Sequence, residues 1–99
     1  MARRVIDRLR DKIRAGEYVV SLHAADELDD DEISIFDVES IVLTGEIIER
    51  QRDVETQERK YIVRGETLDD EAACCVLKIG PTGQVVIITA WLEEDDEAM

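Results

Sequence analysis

Val5, Ile6, Leu9 and Ile13 recur at helical spacing, and Arg3, Arg4, Arg8, Arg10, Lys12 and Arg14 fill the positions between them. Residues 2–15 are therefore predicted to form an amphipathic helix that buries one stripe, with Gly16 as its stop. Its arginines belong either to a helix that tracks phosphates or to a solvated amphipathic one. Tyr18-Val19-Val20 is read as a short extended link. Ser21 then caps a second helix, with Leu22, Ala25 and Leu28 as its apolar side and His23 in its first turn. Ser34 and Asp37 have capping-box spacing at the head of a third helix, whose core stripe is Ile35, Val38, Ile41 and Val42 and which ends at Thr44-Gly45.

From Glu46 the period changes to two. Residues 46–53, 59–66, 72–79 and 84–92 read as strands, and Gly80-Pro81-Thr82-Gly83 joins the last two as a hairpin. Val85-Val86-Ile87-Ile88 is apolar on both faces, which predicts a central strand, whereas the first strand is amphipathic and fits an edge. Helices followed by strands give an α+β expectation: three N-terminal helices against one face of a mainly antiparallel four-stranded sheet. Residues 1–92 are read as one domain and 93–99 as a mobile acidic tail. Lys60, Ile62 and Arg64 share one side of their strand, and Arg59, Tyr61 and Val63 the other. Whether Arg50, Arg52, Lys60, Arg64 and Lys78 form one cationic platform depends on register, which alternation leaves open.

Charge changes this picture. The net charge is −13, yet six of the twelve basic residues fall in residues 3–14 and six in residues 50–78. After Ala25, six of seven side chains are carboxylates. The chain as a whole repels nucleic acid and anionic membrane unless its cations gather on one face. Cys74 and Cys75 are adjacent and point to opposite sides of a strand, so no framework disulfide and no C-x-x-C site is available. With no signal peptide, membrane-spanning run or lipidation motif read in the sequence, a cytoplasmic location is expected. The acidic run lacks EF-hand spacing, and no phosphate-binding glycine loop or serine nucleophile elbow is present. No metal and no cofactor are expected.

Ser21-x-His23-Ala24, Ile33-Ser34-x-x-Asp37-Val38 and Gly45-Glu46-Ile47-Ile48-Glu49 resemble the opening of the family catalogued as domain of unknown function 4258. Tyr61-x-Val63-x-Gly65 and Ile87-Ile88-Thr89-Ala90-Trp91 resemble its second half, so the likeness spans residues 18 to 92. The resemblance implies a fold similar to RelE and motility-quorum-sensing-regulator ribonuclease toxins. It implies a toxin-like role beside a small zinc-finger or helix-turn-helix antitoxin. The family commonly carries two arginines and a glycine where this chain has Glu27, Asp31 and Glu32.

Metal-independent RNA cleavage needs a base, an acid and cations for the phosphate. His23, Arg64, Tyr61 and Thr89 are the candidate catalytic residues, with Arg50, Arg59, Lys60 and Trp91 as candidates for holding RNA. The alternative is a non-catalytic module of the same fold that docks a basic partner on Asp29, Asp30, Asp31 and Glu32.

Overall fold

The computed structural model describes residues 4–93. Its elements run α1 (Val5–Arg14), β1 (Tyr18–Val20), α2 (Leu22–Asp30), α3 (Ile35–Thr44), β2 (Glu46–Arg52), β3 (Arg59–Glu66), β4 (Ala72–Ile79) and β5 (Val85–Leu92). The strands form one sheet in the order β1-β5-β4-β3-β2. Four of them pair antiparallel as a meander, and β1 pairs parallel with β5 through Tyr18↔Val85 and Val20↔Ile87. The sheet is therefore five-stranded and mixed, not four-stranded. Three residues are too few to display an alternation, and the parallel partner lies in the last strand, so Tyr18-Val19-Val20 reads as a link in the sequence. No described helix is long and apolar enough to cross a membrane.

Both capped helices form as their sequences demand. Ser21 Oγ accepts the Ala24 N–H at 3.0 Å, and Ser34 and Asp37 exchange side-chain-to-backbone bonds at 3.0 Å each. Asp37 also accepts the Leu68 N–H at 3.1 Å, tying α3 to the β3–β4 connection. The Ser34 backbone bond is the main reason its carboxyl titrates below the usual aspartate range. A folded-state value that is depressed stabilises the fold above the ordinary range and ceases to do so as pH falls through the depressed one. Asp37→Asn should accordingly lose less stability than the parent below about pH 4, read as urea midpoints.

The end of α2 is closed by Leu28, Asp29, Glu32 and Ile33. Ile33 N–H bonds to Leu28 O at 2.9 Å and Glu32 N–H to Asp29 O at 3.2 Å, the two bonds of a Schellman turn. Leu28 and Ile33 are both buried beneath it. Glu32 holds the left-handed position at φ 57°, which glycine occupies without strain. Glu32→Gly is expected to raise stability by about 1 kcal/mol, seen as a higher urea midpoint.

One face of the sheet carries the core. Ile6, Leu9 and Ile13 of α1, Leu28 of α2 and Val38, Ile41 and Val42 of α3 pack on Tyr61, Val63, Ala73, Cys75, Leu77, Val85, Ile87 and Ala90. The α2 stripe is turned by one position from the expected one. Ala24 and Leu28 are buried, while Leu22 is 87% exposed and Ala25 lies outside. Arg10 reaches from α1 to the carbonyl ends of α3, donating to Gly45 O at 2.7 Å and Val42 O at 3.4 Å, where a cation complements the helix dipole.

Two bulges decide what each face displays. Ile48 is the extra residue in β2: pairing passes from Ile47↔Val63 to Glu49↔Ile62. Beyond it Arg50 opposes Tyr61 and Arg52 opposes Arg59, which turns these arginines to the helix side. Ile88 does the same in β5, between Ile87↔Leu77 and Thr89↔Val76. Without it Thr89 would follow Val85 and Ile87 into the core. With it Ala90 goes in, and Thr89 and Trp91 face the uncovered side of the sheet.

Candidate active site at the edge of the open sheet face

Because β1 ends at Val20, α2 takes its place along the outer half of β5. Ala24 and Leu28 point inward, so the next helical row, His23 and Glu27, stands one turn apart beside the open face. Thr89 Oγ1 donates to Glu27 Oε1 at 2.9 Å, and Glu27 Oε2 lies 3.4 Å from His23 Nε2. The three side chains make a hydroxyl–carboxylate–imidazole relay from β5 to the surface. The His23 side chain is 79% exposed. A carboxylate facing Nε2 favours the tautomer with the proton there and leaves Nδ1 as the acceptor. An imidazole beside a carboxylate that can orient it has the layout that general-base chemistry uses. Glu27 went unread in the sequence as part of any site; its position four residues after His23 was the available signal.

Trp91 follows Thr89 by two residues on the same face, about 7 Å along the strand. It is 39% exposed and sits in one row with Cys74 and Arg64 across the sheet. Arg64 lies two strands from Trp91, about 10 Å away. Its guanidinium pairs with Glu93 at 3.1 Å, and Glu93 also accepts from the Cys74 thiol at 3.0 Å. Glu93, which the sequence groups with the tail, thus lies against β4; residues 94–99 fall outside the described ones. Cys74 is buried below this ion pair. Burial foremost, then the Glu93 carboxylate, push its thiol up to about 12, and burial does the same to Cys75. Both stay protonated near neutrality, so neither is a nucleophile.

Lys60 and Lys78 oppose each other at the far end of the open face, where Lys78 is paired with Glu58 at 3.0 Å. His23, Thr89, Trp91, Arg64 and Lys60 therefore share one side of the molecule. Tyr61, Arg50 and Arg59 do not. Tyr61 is 5% exposed and packs in the core on the helix side. Period-two alternation puts it opposite Lys60 and Ile62, and Arg59 follows it. Arg50 is carried to the same side by the Ile48 bulge. The register that alternation left open divides the cations: Lys60, Arg64 and Lys78 lie on the open face, Arg50 and Arg52, with Arg59, on the helix face. Gly65 marks a close backbone approach, though by α3 and not by a ligand surface. Asp29, Asp30, Asp31 and Glu32 are all exposed, and α2 has no basic residue in its last turn.

No curated protein and no solved structure matches the chain. A family model for a domain of unknown function, DUF4258, matches residues 20–92. That span holds α2 with its histidine, α3 and the four meander strands, and the chain belongs to this family.

Proposed function

We propose that this chain is the toxin-like member of a bacterial toxin–antitoxin pair, with a RelE-like architecture, and that it cleaves RNA without a metal. The observation that carries the reading is the Thr89–Glu27–His23 relay beside an exposed tryptophan. In this reading Nδ1 of His23 takes the proton of a ribose 2′-hydroxyl as its oxygen attacks the adjacent phosphorus. The 5′-oxygen leaves with a proton from solvent, and a 2′,3′-cyclic phosphate remains. Glu27 orients the ring and Thr89 holds Glu27. Trp91 offers a stacking surface to a base. Arg64 serves the phosphate when the phosphate displaces Glu93 from the guanidinium. The partner is a small zinc-finger or helix-turn-helix antitoxin. Expression from a tight promoter tests this: the parent should arrest growth and fragment transcripts, and His23→Ala should do neither while remaining folded. A parent chain that leaves growth and transcripts intact overturns the reading.

One observation favours a second reading, a protein-binding module. Asp26, Asp29 and Asp30 on α2, and Asp31 and Glu32 just past its end, are exposed, and α2 carries no lysine or arginine. A basic partner docked there would be released by salt and weakened by the triple change of Asp29, Asp30 and Asp31 to Asn.

A further inference from the structure

The helix side of the sheet holds a feature that the α2–β5 edge does not use. A groove runs between α1 and the ends of β2, β3 and the β4–β5 hairpin. One of its cavities, about 440 Å³, is lined by Val5, Arg8, Gln57, Arg59, Tyr61 and Ile79 among others, and the adjoining one at Arg10 and Arg50 is about 520 Å³. Through Arg8, Ile79 and Gly83 the first continues into a smaller one that reaches Lys12, and past Val5 it opens to Arg4, Arg10 and Arg50. Arg4, Arg8 and Lys12 follow one another at four-residue spacing, a row of cations with steps of about 6 Å along the helix. Arg59 stands across from this row with Arg52 as its register partner.

Among the described residues no carboxylate lines the cavity at Arg8 and Arg59 or its continuation toward Lys12. Glu46 and Glu17 lie only at the two ends, and Asp7 pairs with Arg4 at 3.3 Å and Arg10 at 3.6 Å. Among the described residues Lys12, Arg50 and Arg59 make no ion pair and no side-chain hydrogen bond. Holding Lys12, Arg50 and Arg59 near the other groove cations without counterions of their own is unfavourable, and an anionic ligand removes that cost.

We infer that this groove binds the phosphate backbone of single-stranded RNA. Five of its six cations are arginines, whose forked guanidinium matches phosphate oxygens two at a time. Arg4, Arg8 and Lys12 stand in a line along α1, as a polyanion requires. Val5, Ile79 and the edge of Tyr61 give the floor an apolar strip for a ribose or a base. The groove lies on the opposite face of the sheet from His23, so it holds RNA whether or not the relay cleaves it.

The test is fluorescence anisotropy on a labelled RNA of about 12 nucleotides, with the full chain carrying His23→Ala so that RNA stays intact. For three or four phosphate contacts the log–log salt slope should be about −2 to −3, a loss of roughly 20- to 60-fold between about 50 and 200 mM salt. Arg8→Gln with Arg59→Gln should weaken binding at least about 10-fold and flatten the slope by about 1.4. Lys78→Gln, on the other face and paired with Glu58, should change affinity by less than about 2-fold. Equal losses in the groove variant and in Lys78→Gln, or none in the groove variant, would overturn the inference. Tighter binding of an Asp/Glu peptide of the same length would overturn it too, and assign the groove to an acidic protein segment. Groove binding that persists while the parent chain fails to cut RNA counts against the ribonuclease reading alone.

Discussion

Gly65→Ala is expected to lower the stability of the domain by about 3 kcal/mol or more, a large share of the roughly 5 to 15 kcal/mol that holds a domain folded. A Cβ at this position would fall on the backbone carbonyl oxygen of Ile41, and would stand 2.8 Å from Thr44 Oγ1 and 2.9 Å from Gly45 Cα. None of these is the free end of a flexible side chain. The helix end is also pinned from the other side. Ser40 Oγ donates to Glu66 O at 2.7 Å, and the Glu66 N–H donates to Thr44 Oγ1 at 2.9 Å. Gly45 is crowded in the same way by the Arg64 carbonyl. Two glycines thus let α3 and β3 meet backbone to backbone, and α3 cannot back away without losing Ile41 and Val42 from the core. The measurement is a urea titration, with Gly83→Ala as a comparison. Gly83 has open space but a φ of 88°, so strain there lacks a steric clash and should cost about 1 kcal/mol. A Gly65→Ala midpoint equal to that of the parent would show that α3 does not approach β3 as described.

If the chain cleaves RNA as proposed, His23→Ala should reduce cleavage by purified protein in the presence of chelator by about 10² to 10⁴-fold, the usual worth of one general base. Glu27→Gln keeps the shape of the side chain and removes the charge facing the ring. It should cost about 10-fold or more, because the imidazole then loses its orienting anion. The decisive comparison is the double variant. If Glu27 acts through His23, the two changes together should be no slower than His23→Ala alone. Multiplicative losses would mean that Glu27 touches the RNA on its own account, and an unimpaired His23→Ala would remove the imidazole from the reaction altogether.

Much of this architecture is legible residue by residue. The α1 stripe, the capping box at Ser34 and Asp37, the hairpin at residues 80–83, the central place of the last strand and the edge place of β2 all follow from local pattern. So does the assignment of Lys60 and Arg64 to one side and Tyr61 to the other. The α2 helix was legible as a helix but not in its rotation. Leu22, Ala25 and Leu28 make as good an apolar row as Ala24 and Leu28, and only the neighbours of α2 choose between them. That one-position turn is what sets His23 and Glu27 next to Thr89.

Local chemistry therefore determined which segments of this protein become helices and strands, where they start and stop, and that its histidine sits at a helix N-terminus among carboxylates. The tertiary structure decided three further matters: the parallel fifth strand, the facing of Thr89, Trp91, Arg50 and Arg52, and the pairing of Arg64 with Glu93. The reason is physical. Helix stripes and caps are satisfied within one or two turns of the chain. A bulge at Ile48 or Ile88 and a parallel partner for Tyr18-Val19-Val20 gain their free energy from residues remote in sequence, so no window along the chain displays them.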